Sequence, residues 1–177
     1  LFEEGTPSTV LDVGTGEGIV AHRLAEEKPG VSFHGLDIDD PTLRAEWRHR
    51  EQDNLTFSVG SAYELGFRPD TFDMVLCLEV LEHLQRPALA LDEMTRVAGQ
   101  SLILSVPREP LWRILNLVRG AYITDLGNTP GHINHWSKGT FLRFVDKFCA
   151  VDRVETPLPW TMVLLRVRTK TEASQEI

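Results

Sequence analysis

A glycine-rich turn between a short apolar run and a helical pattern is the feature that most constrains the fold. Residues 8–13 are rich in β-branched side chains and predict a strand, while the apolar spacing over residues 17–28 predicts a helix. Gly14 and Gly16 lie in the turn between them, where glycine lets the backbone bend sharply and approach a ligand closely. A strand, a glycine turn and a helix in this order predict the ligand-binding end of a parallel α/β sheet.

The same alternation continues along the chain and predicts seven strands. Residues 72–80 are apolar enough to be covered on both faces, as in a parallel sheet whose connections are helices. Residues 41–50 predict a mostly charged, exposed helix that follows a capping Asp40. The predicted strands are 8–13, 31–38, 55–60, 72–80, 101–107, 150–156 and 160–168, and the predicted helices are 17–28, 41–50, 87–98, 111–119 and 137–148. The fold class is therefore α/β, with a doubly wound, mostly parallel sheet and helices on both faces.

Size and charge exclude several classes of protein. The 177 residues suit one domain, residues 1–177, in which we expect residues 169–177 to be a frayed tail. The formal net charge of −8 disfavours a basic face for nucleic acid, and no apolar run approaches the ~20 residues that span a bilayer. Two Cys form no disulfide framework, and residues 1–9 lack the pattern of a signal peptide. We therefore expect a cytoplasmic protein with no nucleic-acid partner and no membrane span, in an oligomeric state that the sequence leaves open.

Two classes of adenosine cofactor fit the turn, and its charges favour one of them. Gly14 and Gly16 match the start of a dinucleotide motif, but Ile19 stands where that motif ends in glycine or alanine. Asp12 and Glu17 would also repel the pyrophosphate of NAD. S-Adenosylmethionine has no phosphate and carries a net positive charge. Acidic residues around the turn would attract it, while amides at the helix start would bind its carboxylate.

A second candidate element is the acidic residue at the end of the second predicted strand. Asp37 lies 23 residues after Gly14, where a carboxylate can accept hydrogen bonds from the ribose hydroxyls of either cofactor class. Asp37 therefore indicates an adenosine ribose, and the turn decides which adenosine cofactor is bound. The alternative is that Asp37, Asp39 and Asp40 only cap the helix that follows.

Five segments, in order, resemble the class I S-adenosylmethionine-dependent methyltransferases, in the type-11 group that includes ubiquinone and menaquinone methyltransferases. They are VLDVGTGEG (10–18), GLDID (35–39), GSAYELGF (60–67), FDMVLCLEVLEHL (72–84) and SLILSVP (101–107). The resemblance implies a Rossmann-like fold with a seven-stranded sheet whose last strand is antiparallel. It also implies methyl transfer from S-adenosylmethionine, with S-adenosylhomocysteine as the product. Residues 8–107 would form the cofactor-binding half.

The resemblance assigns the cofactor contacts by position. Glycines of the turn would border the methionine part of the cofactor, and the end of the second strand would hold the ribose and adenine. The segment after the third strand would approach the adenine, and the end of the fourth strand would line the methionine side. In chain order, the expected cofactor-binding residues are Asp12, Gly14, Gly16, Glu17, Asp37, Ile38, Ser61, Ala62, Tyr63, Leu78 and Glu79.

Three histidines are candidates for catalysis at the transferred methyl group. Methyl transfer is an in-line displacement on an activated cofactor, so a general base is needed only if the acceptor must lose a proton. His83 in EVLEHL, and His132 and His135 in GHINHWS, are the candidates for that base. The alternatives are that His83 packs under the cofactor turn and that the other two cap a lid. We expect no metal site, since His132 and His135 lack further ligands at suitable spacing.

Residues 108–136, which we call the lid segment, are the predicted acceptor-binding insertion. The segment follows the fifth strand, where the methyltransferases that it resembles place such insertions, and Arg108, Trp112, Tyr122 and Trp136 are the expected substrate contacts. The same residues also suit a helical hairpin packed on the sheet, and such a mixture can touch RNA, although the net charge disfavours that. The resemblance also implies helices before the first strand. About seven residues precede that strand, so either those helices lie outside this sequence or the lid segment shapes the acceptor pocket alone.

We therefore expect an enzyme that transfers a methyl group from S-adenosylmethionine to an oxygen, carbon or nitrogen of a small-molecule acceptor. Two alternatives are an NAD-dependent oxidoreductase and an S-adenosylmethionine-binding regulatory module without catalysis. Binding of NAD would distinguish the first alternative, and the absence of any methylated product would distinguish the second.

Overall fold

Strands and helices alternate along residues 7–168, which are the residues that the structure, a computed structural model, describes. The predicted elements are all present, with ends that shift by at most three residues. The strands are β1 (Thr9–Val13), β2 (Ser32–Asp37), β3 (Leu55–Val59), β4 (Phe72–Leu78), β5 (Ala98–Pro107), β6 (Ala150–Glu155) and β7 (Trp160–Arg166). The helices are α1 (Ile19–Glu27), α2 (Pro41–Arg50), α3 (Pro87–Val97), α4 (Leu111–Val118) and α5 (Lys138–Val145). The predicted frayed tail, residues 169–177, lies outside the described residues.

The strands form one sheet in the order β3-β2-β1-β4-β5-β7-β6. β1 pairs in parallel with β2 on one side and with β4 on the other, so Val10 lies opposite both Phe33 and Met74. β7 inserts antiparallel between β5 and β6. The predicted doubly wound, mostly parallel sheet with an antiparallel last strand is therefore confirmed. The strand order reverses between β1 and β4, which is where open α/β sheets bind ligands.

The core lies on both faces of the sheet because successive side chains of a strand point to opposite faces. Val10 and Met74 pack into one apolar cluster, in which Ala21 and Ala25 of α1 are also buried. Their neighbours along the strands face a second cluster, in which α3 and α5 are buried. The members of that second cluster from β1, β4, α3 and α5 include Leu11, Val75, Leu91, Met94 and Phe141. With both faces covered, we expect a ligand site at the carboxyl ends of the strands, as in other open α/β sheets.

Helix α2 differs in one respect from the exposed helix that its charges predict. Asp40 caps it as expected, accepting a hydrogen bond from Thr42 N at 2.7 Å. Trp47, however, is only 5% exposed. Its ring stacks on Phe57 with centroids 5.4 Å apart, and its Nε1 donates to Gly16 O at 2.7 Å. The helix therefore fastens the glycine turn, a role that a charge pattern alone does not reveal.

The lid segment leaves the sheet after β5 and returns to it at Trp136. Glu109 N donates to Trp136 O at 2.9 Å, so the two ends of the segment lie side by side. Between them come α4 and a short 3₁₀ turn, Ile123–Asp125. Within residues 7–168, no helix is long and apolar enough to cross a membrane.

Candidate active site

The glycine turn after β1 leaves no room for a side chain at its first position. Gly14 has a φ of +76°, a left-handed conformation that favours glycine, and its amide donates to Leu36 O at 2.8 Å. A Cβ atom at Gly14 would overlap the side chain of Val80, which follows β4. The absence of a side chain at Gly14 therefore lets Val80 pack against the backbone of the turn, between β1 and β4.

Asp37, at the end of β2, joins that turn to the next strand. Its Oδ2 accepts a hydrogen bond from Gly16 N at 2.7 Å, and its Oδ1 accepts one from Ile38 N at 2.7 Å. A carboxylate oxygen has two lone pairs, so each oxygen retains capacity for a further donor. Asp37 thus shapes the glycine turn and still presents acceptor atoms to a ligand.

Two other predicted acidic residues lie behind or outside this arrangement. Asp12 is buried under the turn, and its Oδ2 accepts a hydrogen bond from Thr15 Oγ1 at 2.7 Å. Burial raises the pKa of Asp12 to about 6, the bond from Thr15 opposes that rise, and the charge of Asp37 adds to it. Glu17 is exposed and lies 3.9 Å from the guanidinium of Arg50. Neither carboxylate lines the cavity described next.

A cavity of about 470 Å³ opens at the carboxyl ends of β1 to β4. Its volume lies within the usual range for small-molecule sites, about 300–1,000 Å³. Its lining residues are Val13, Gly14, Leu36, Asp37, Ile38, Gly60, Ser61, Ala62, Tyr63, Glu79, Val80, His83 and Leu84. The structure therefore brings eight predicted site residues together around one space: Gly14, Asp37, Ile38, Ser61, Ala62, Tyr63, Glu79 and His83.

The wall after β3 is held against β2 and faces an apolar side chain. Gly60 N donates to Asp37 O at 2.8 Å, and Tyr63 N donates to Ser61 Oγ at 3.2 Å. Ile38, which is 65% exposed, lines the same cavity. An exposed apolar side chain beside a polar turn offers a surface for a flat ring.

Glu79 immediately follows β4 and holds its carboxylate in a fixed position. The residue has a φ of +59°, an uncommon conformation for a side chain other than glycine. Ser105 Oγ donates to Oε1 at 2.7 Å, and Trp160 Nε1 donates to Oε2 at 2.8 Å. Burial raises the pKa of Glu79, and the two donated bonds oppose the rise. Leu78 precedes it as the last residue of β4 and packs against the cluster around Val10.

Glu82 is a buried carboxyl group that the sequence analysis missed. It is 1% exposed, and among the described residues neither of its oxygens has a hydrogen-bond partner. Burial, followed by the charge of Glu79, raises the pKa of Glu82 to about 8. Its main-chain oxygen, in contrast, accepts hydrogen bonds from Ile133 N and Asn134 N of the lid segment, at 2.9 and 3.0 Å. The one indication of a buried carboxyl group in the sequence is an acidic residue between the apolar residues of VLEHL.

His83 and His132 meet beside that carboxyl group. Their ring centroids are 4.8 Å apart in an edge-to-face arrangement. His83 Nδ1 lies 3.0 Å from Gly131 O, and because a carbonyl only accepts, Nδ1 is the donor in this bond. His132 is 8% exposed, and burial, with the charges of His83 and His135, lowers its pKa to about 4. His132 is therefore a neutral imidazole at pH 7, with Trp112 stacked on it at 6.0 Å.

The remaining predicted residues lie away from the cavity lining. His135 Nε2 contacts Arg113 Nη2 at 3.3 Å, and Trp136 packs on Phe141 and Phe144 with ring centroids 5.6 Å apart. Arg108 N donates to Pro159 O at 2.9 Å, and Tyr122 is exposed on the lid segment. The predicted site residues that do not line the cavity are Asp12, Gly16, Glu17, Leu78, Arg108, Trp112, Tyr122, His132, His135 and Trp136.

Comparison with known sequences gives a family match. Residues 11–102, just over half of the chain, match the family described as a methyltransferase domain. Among curated proteins, a ubiquinone biosynthesis O-methyltransferase of Pseudomonas paraeruginosa is 29% identical over 124 residues. The alignment covers 67% of this chain and 53% of that protein. The chain thus spans about half the length of the curated relatives it matches.

Comparison with solved structures shows the same fold in proteins of low sequence identity. An S-adenosylmethionine-dependent methyltransferase from Aquifex aeolicus is 18% identical, with a TM-score of 0.73, and the match covers 91% of this chain and 82% of that one. The cyclase SpnF is 15% identical, with a TM-score of 0.71, covering 92% of this chain and 76% of that one. At such identities, the likeness shows the fold alone, and a cyclase shares it with a methyltransferase.

Proposed function

The chain belongs to the methyltransferase domain family, and on that premise we propose that it transfers a methyl group from S-adenosylmethionine to a small-molecule acceptor. S-Adenosylmethionine supplies a methyl group already activated on a sulfonium and leaves as S-adenosylhomocysteine. The residues of the chain therefore have to bind, orient the reactants and exclude water.

The charge of the cavity carries this proposal. Asp37 and Glu79 line it, and none of the described lining residues is Lys or Arg. A cofactor with a pyrophosphate, such as NAD, would meet carboxylates without a compensating cation. S-Adenosylmethionine has an ammonium and a sulfonium, which carboxylates attract. The site thus favours a methyl donor over a nicotinamide cofactor.

The shape of the cavity also fits that cofactor. Asp37 has acceptor capacity left for ribose hydroxyls, and exposed Ile38 offers an apolar surface for adenine. Ser61, Ala62 and Tyr63 would hold the other side of the adenine. The bare backbone at Gly14 would admit the methionine part next to Glu79. Gly16, whose amide is bound by Asp37, and Asp12, Glu17 and Leu78 would support this arrangement rather than line it.

The acceptor would bind at the end of the cavity that His83 lines. His132 and Trp112 lie directly behind His83, so we assign these three residues to the acceptor side. Arg108, Tyr122, His135 and Trp136 would act by shaping the lid segment, given their contacts outside the cavity. In this assignment, residues 8–107 hold the cofactor and residues 108–136 select the acceptor within a single domain.

Oxygen is the first acceptor atom to test, because the curated relatives named above are O-methyltransferases. The cytoplasm is the setting we propose, supported by two buried cysteines, Cys77 and Cys149, that are unpaired. The acidic cavity and the net charge of −8 support a small molecule rather than nucleic acid as the partner.

Calorimetry on the purified protein tests the cofactor class. We expect S-adenosylmethionine and S-adenosylhomocysteine to bind with one site per chain, and NAD and NADH not to bind. Binding of NAD without binding of S-adenosylmethionine would overturn the proposal. A mass-spectrometric screen of phenol, carboxylate, amine and carbon acceptors then tests transfer. Tight cofactor binding with no methylated product across the screen would favour a non-catalytic binding module instead.

A further inference from the structure

The carboxyl group of Glu82 is buried without a hydrogen-bond partner among the described residues. Both oxygens lack a hydrogen-bond partner among residues 7–168, although the residue is 1% exposed. Buried carboxyl groups are normally paired with a cation or hydrogen-bonded, because an unpaired one is costly to remove from water. Glu79 lies nearby with its own carboxylate, which makes the unpaired group still less favourable. Glu82 is therefore a buried acid without a hydrogen-bond partner in the part of the chain that the structure describes.

Two imidazoles face the same point from different parts of the chain. Glu82, His83 and His132 each offer one ligand atom, and these atoms all lie within 4.8 Å of one another. Glu82 and His83 belong to the turn after β4, whereas His132 comes from the lid segment. We call these three residues the histidine–carboxylate cluster.

The hydrogen bonding of His83 is the arrangement found around metal-binding histidines. Such a histidine donates one ring N–H to a carbonyl or carboxylate, which orients the ring and leaves the other nitrogen free for the metal. His83 Nδ1 makes this bond to Gly131 O at 3.0 Å, one residue before His132. His132 is buried between His83 and Trp112, so both rings are held in place.

We propose that Glu82, His83 and His132 form a binding site for one divalent transition-metal cation of the zinc type. Two imidazoles and one carboxylate are a ligand set that zinc and its neighbours use, whereas Mg²⁺ and Ca²⁺ prefer oxygen ligands only. Ligand atoms around one zinc ion lie about 3–4 Å apart, since each bond is about 2.1 Å. The ligand atoms of the cluster would have to move by about 1 Å, through side-chain rotation, to reach that spacing.

The proposed site lies at the acceptor end of the cavity and is separate from the residues assigned to the cofactor. Of its three ligands, only His83 lines the cavity, while Glu82 and His132 are buried behind it. A cation there would compensate the charges of Glu82 and Glu79. It would also add a link between the turn after β4 and the lid segment, which Ile133 N and Asn134 N already join by donating to Glu82 O.

Cobalt binding tests the site directly, because protein-bound Co²⁺ has a visible absorption band and Zn²⁺ does not. The untagged full chain, stripped with a chelator, is titrated with Co²⁺ and then with Zn²⁺ or Mg²⁺. We expect the band to saturate at one Co²⁺ per chain, to be abolished by equimolar Zn²⁺ and to survive the same amount of Mg²⁺. A band that never forms or never saturates, or one that Mg²⁺ displaces equally well, would overturn the proposal.

Variants then assign the ligands. Glu82→Gln keeps the size of the side chain but removes the carboxylate, and His132→Ala removes one imidazole. We expect each to weaken Co²⁺ binding at least about 10-fold. His49→Gln, which removes an exposed histidine of α2 outside the cluster, should leave the titration unchanged. Equal binding by all three variants and the wild type would place the metal elsewhere and refute the site.

A measurement on the unaltered protein covers the case in which a variant fails to fold. X-ray absorption of the zinc-loaded wild type should give a shell of nitrogen and oxygen that includes two imidazoles. A shell of water oxygens alone, or one with sulfur, would refute the cluster as the ligand set.

Calorimetry with S-adenosylmethionine on the chelator-treated protein separates this proposal from the proposed function. Cofactor binding without cobalt binding refutes the cation site alone, and cobalt binding without cofactor binding refutes the proposed function alone.

Discussion

The carboxylate of Asp37 accepts a hydrogen bond from the amide of Gly16 at 2.7 Å, so the end of β2 and the glycine turn after β1 form one unit. This bond gives Asp37 two tasks. The residue positions the backbone of the turn, and it presents oxygen atoms to whatever occupies the cavity. Substitution of Asp37 is therefore expected to change both the turn and the ligand contacts.

Replacing Asp37 by alanine should weaken binding of S-adenosylmethionine by roughly 2–4 kcal/mol, about 30- to 1,000-fold, from the loss of charge-assisted hydrogen bonds. Isothermal titration calorimetry measures the change. Asp39→Ala is the matched control, since Asp39 is exposed, lies 3.3 Å from Arg44 Nε and does not line the cavity. Equal affinities of the two variants for S-adenosylmethionine would show that Asp37 is not part of the binding site.

A methyl group at Gly14 should destabilise the fold more than one at Gly16. Both residues have positive φ, so alanine at either position is strained by roughly 1–2 kcal/mol. Only the Cβ of Gly14→Ala also overlaps Val80, whereas nothing lies within 4 Å of the corresponding position at Gly16. We expect an additional loss of about 1–3 kcal/mol in the free energy of unfolding for Gly14→Ala, measured by urea denaturation.

A Val80→Ala background separates the overlap from the backbone strain. In that background, the extra cost of Gly14→Ala over Gly16→Ala should largely disappear, because the space is then empty. If the two glycine substitutions cost the same in the wild-type background, the close approach of Val80 has no energetic role.

Replacing Trp160 by phenylalanine should lower the free energy of unfolding by about 1–3 kcal/mol, because it leaves a partly buried oxygen of Glu79 without its donor. The cost should shrink when Glu79 is already alanine, and a double-mutant cycle measures this coupling. Trp47→Phe is the control partner, since Trp47 binds Gly16 O rather than Glu79. Its effect should add independently to that of Glu79→Ala. If the effects of Trp160→Phe and Glu79→Ala also add independently, the hydrogen bond between Trp160 and Glu79 contributes nothing to stability.

Asp12 should make the protein less stable as the pH rises. Its pKa is about 6 in the folded chain against an ordinary value near 3.8, so between these values the folded state binds a proton that the unfolded state has lost. The penalty is absent below the ordinary pKa and complete above the folded one, on the order of 1–3 kcal/mol. Asp12→Asn should therefore gain stability relative to wild type as the pH increases from about 4 to about 7.

Asp40→Asn provides the control of opposite sign for that experiment. The amide of Thr42 lowers the pKa of Asp40, so its contribution is present above the ordinary value and is lost as the pH falls. Urea denaturation at a series of pH values measures both variants. If Asp12→Asn and wild type lose or gain stability in parallel across that range, the carboxyl group of Asp12 is not the source of the pH dependence.

The fold and much of the cavity lining could be predicted because their signals are local in the sequence. The strand before Gly14, the acidic end of β2 and the apolar run of β4 each identify an element within about ten residues. Parallel pairing then brings those strand ends to one edge of the sheet. Asp37 and Glu79 consequently line the same cavity although they are far apart in the chain.

The contacts around Glu79 and His83 could not be predicted in the same way because they join distant segments. Trp160 Nε1 reaches Glu79 across 81 positions, and His132 reaches His83 across almost fifty. No periodicity in the sequence encodes which aromatic residue of the lid segment faces inward. Trp112 stacks on His132, while Trp136 packs into the core against Phe141 and Phe144. The sequence gives no reason to distinguish the two tryptophans, whereas in the fold they pack against different residues.

The main-chain bonds between Glu82 and the lid segment limit how this protein can be re-engineered. Ile133 N and Asn134 N both donate to Glu82 O, and the Asn134 side chain donates to Leu81 O and Leu84 O. Residues 81–84 and 131–134 are therefore joined by hydrogen bonds and should be treated as one structural unit. A chimaera that imports a relative's acceptor preference should exchange residues 108–130 and keep 131–134 native, or transplant both halves of the unit together.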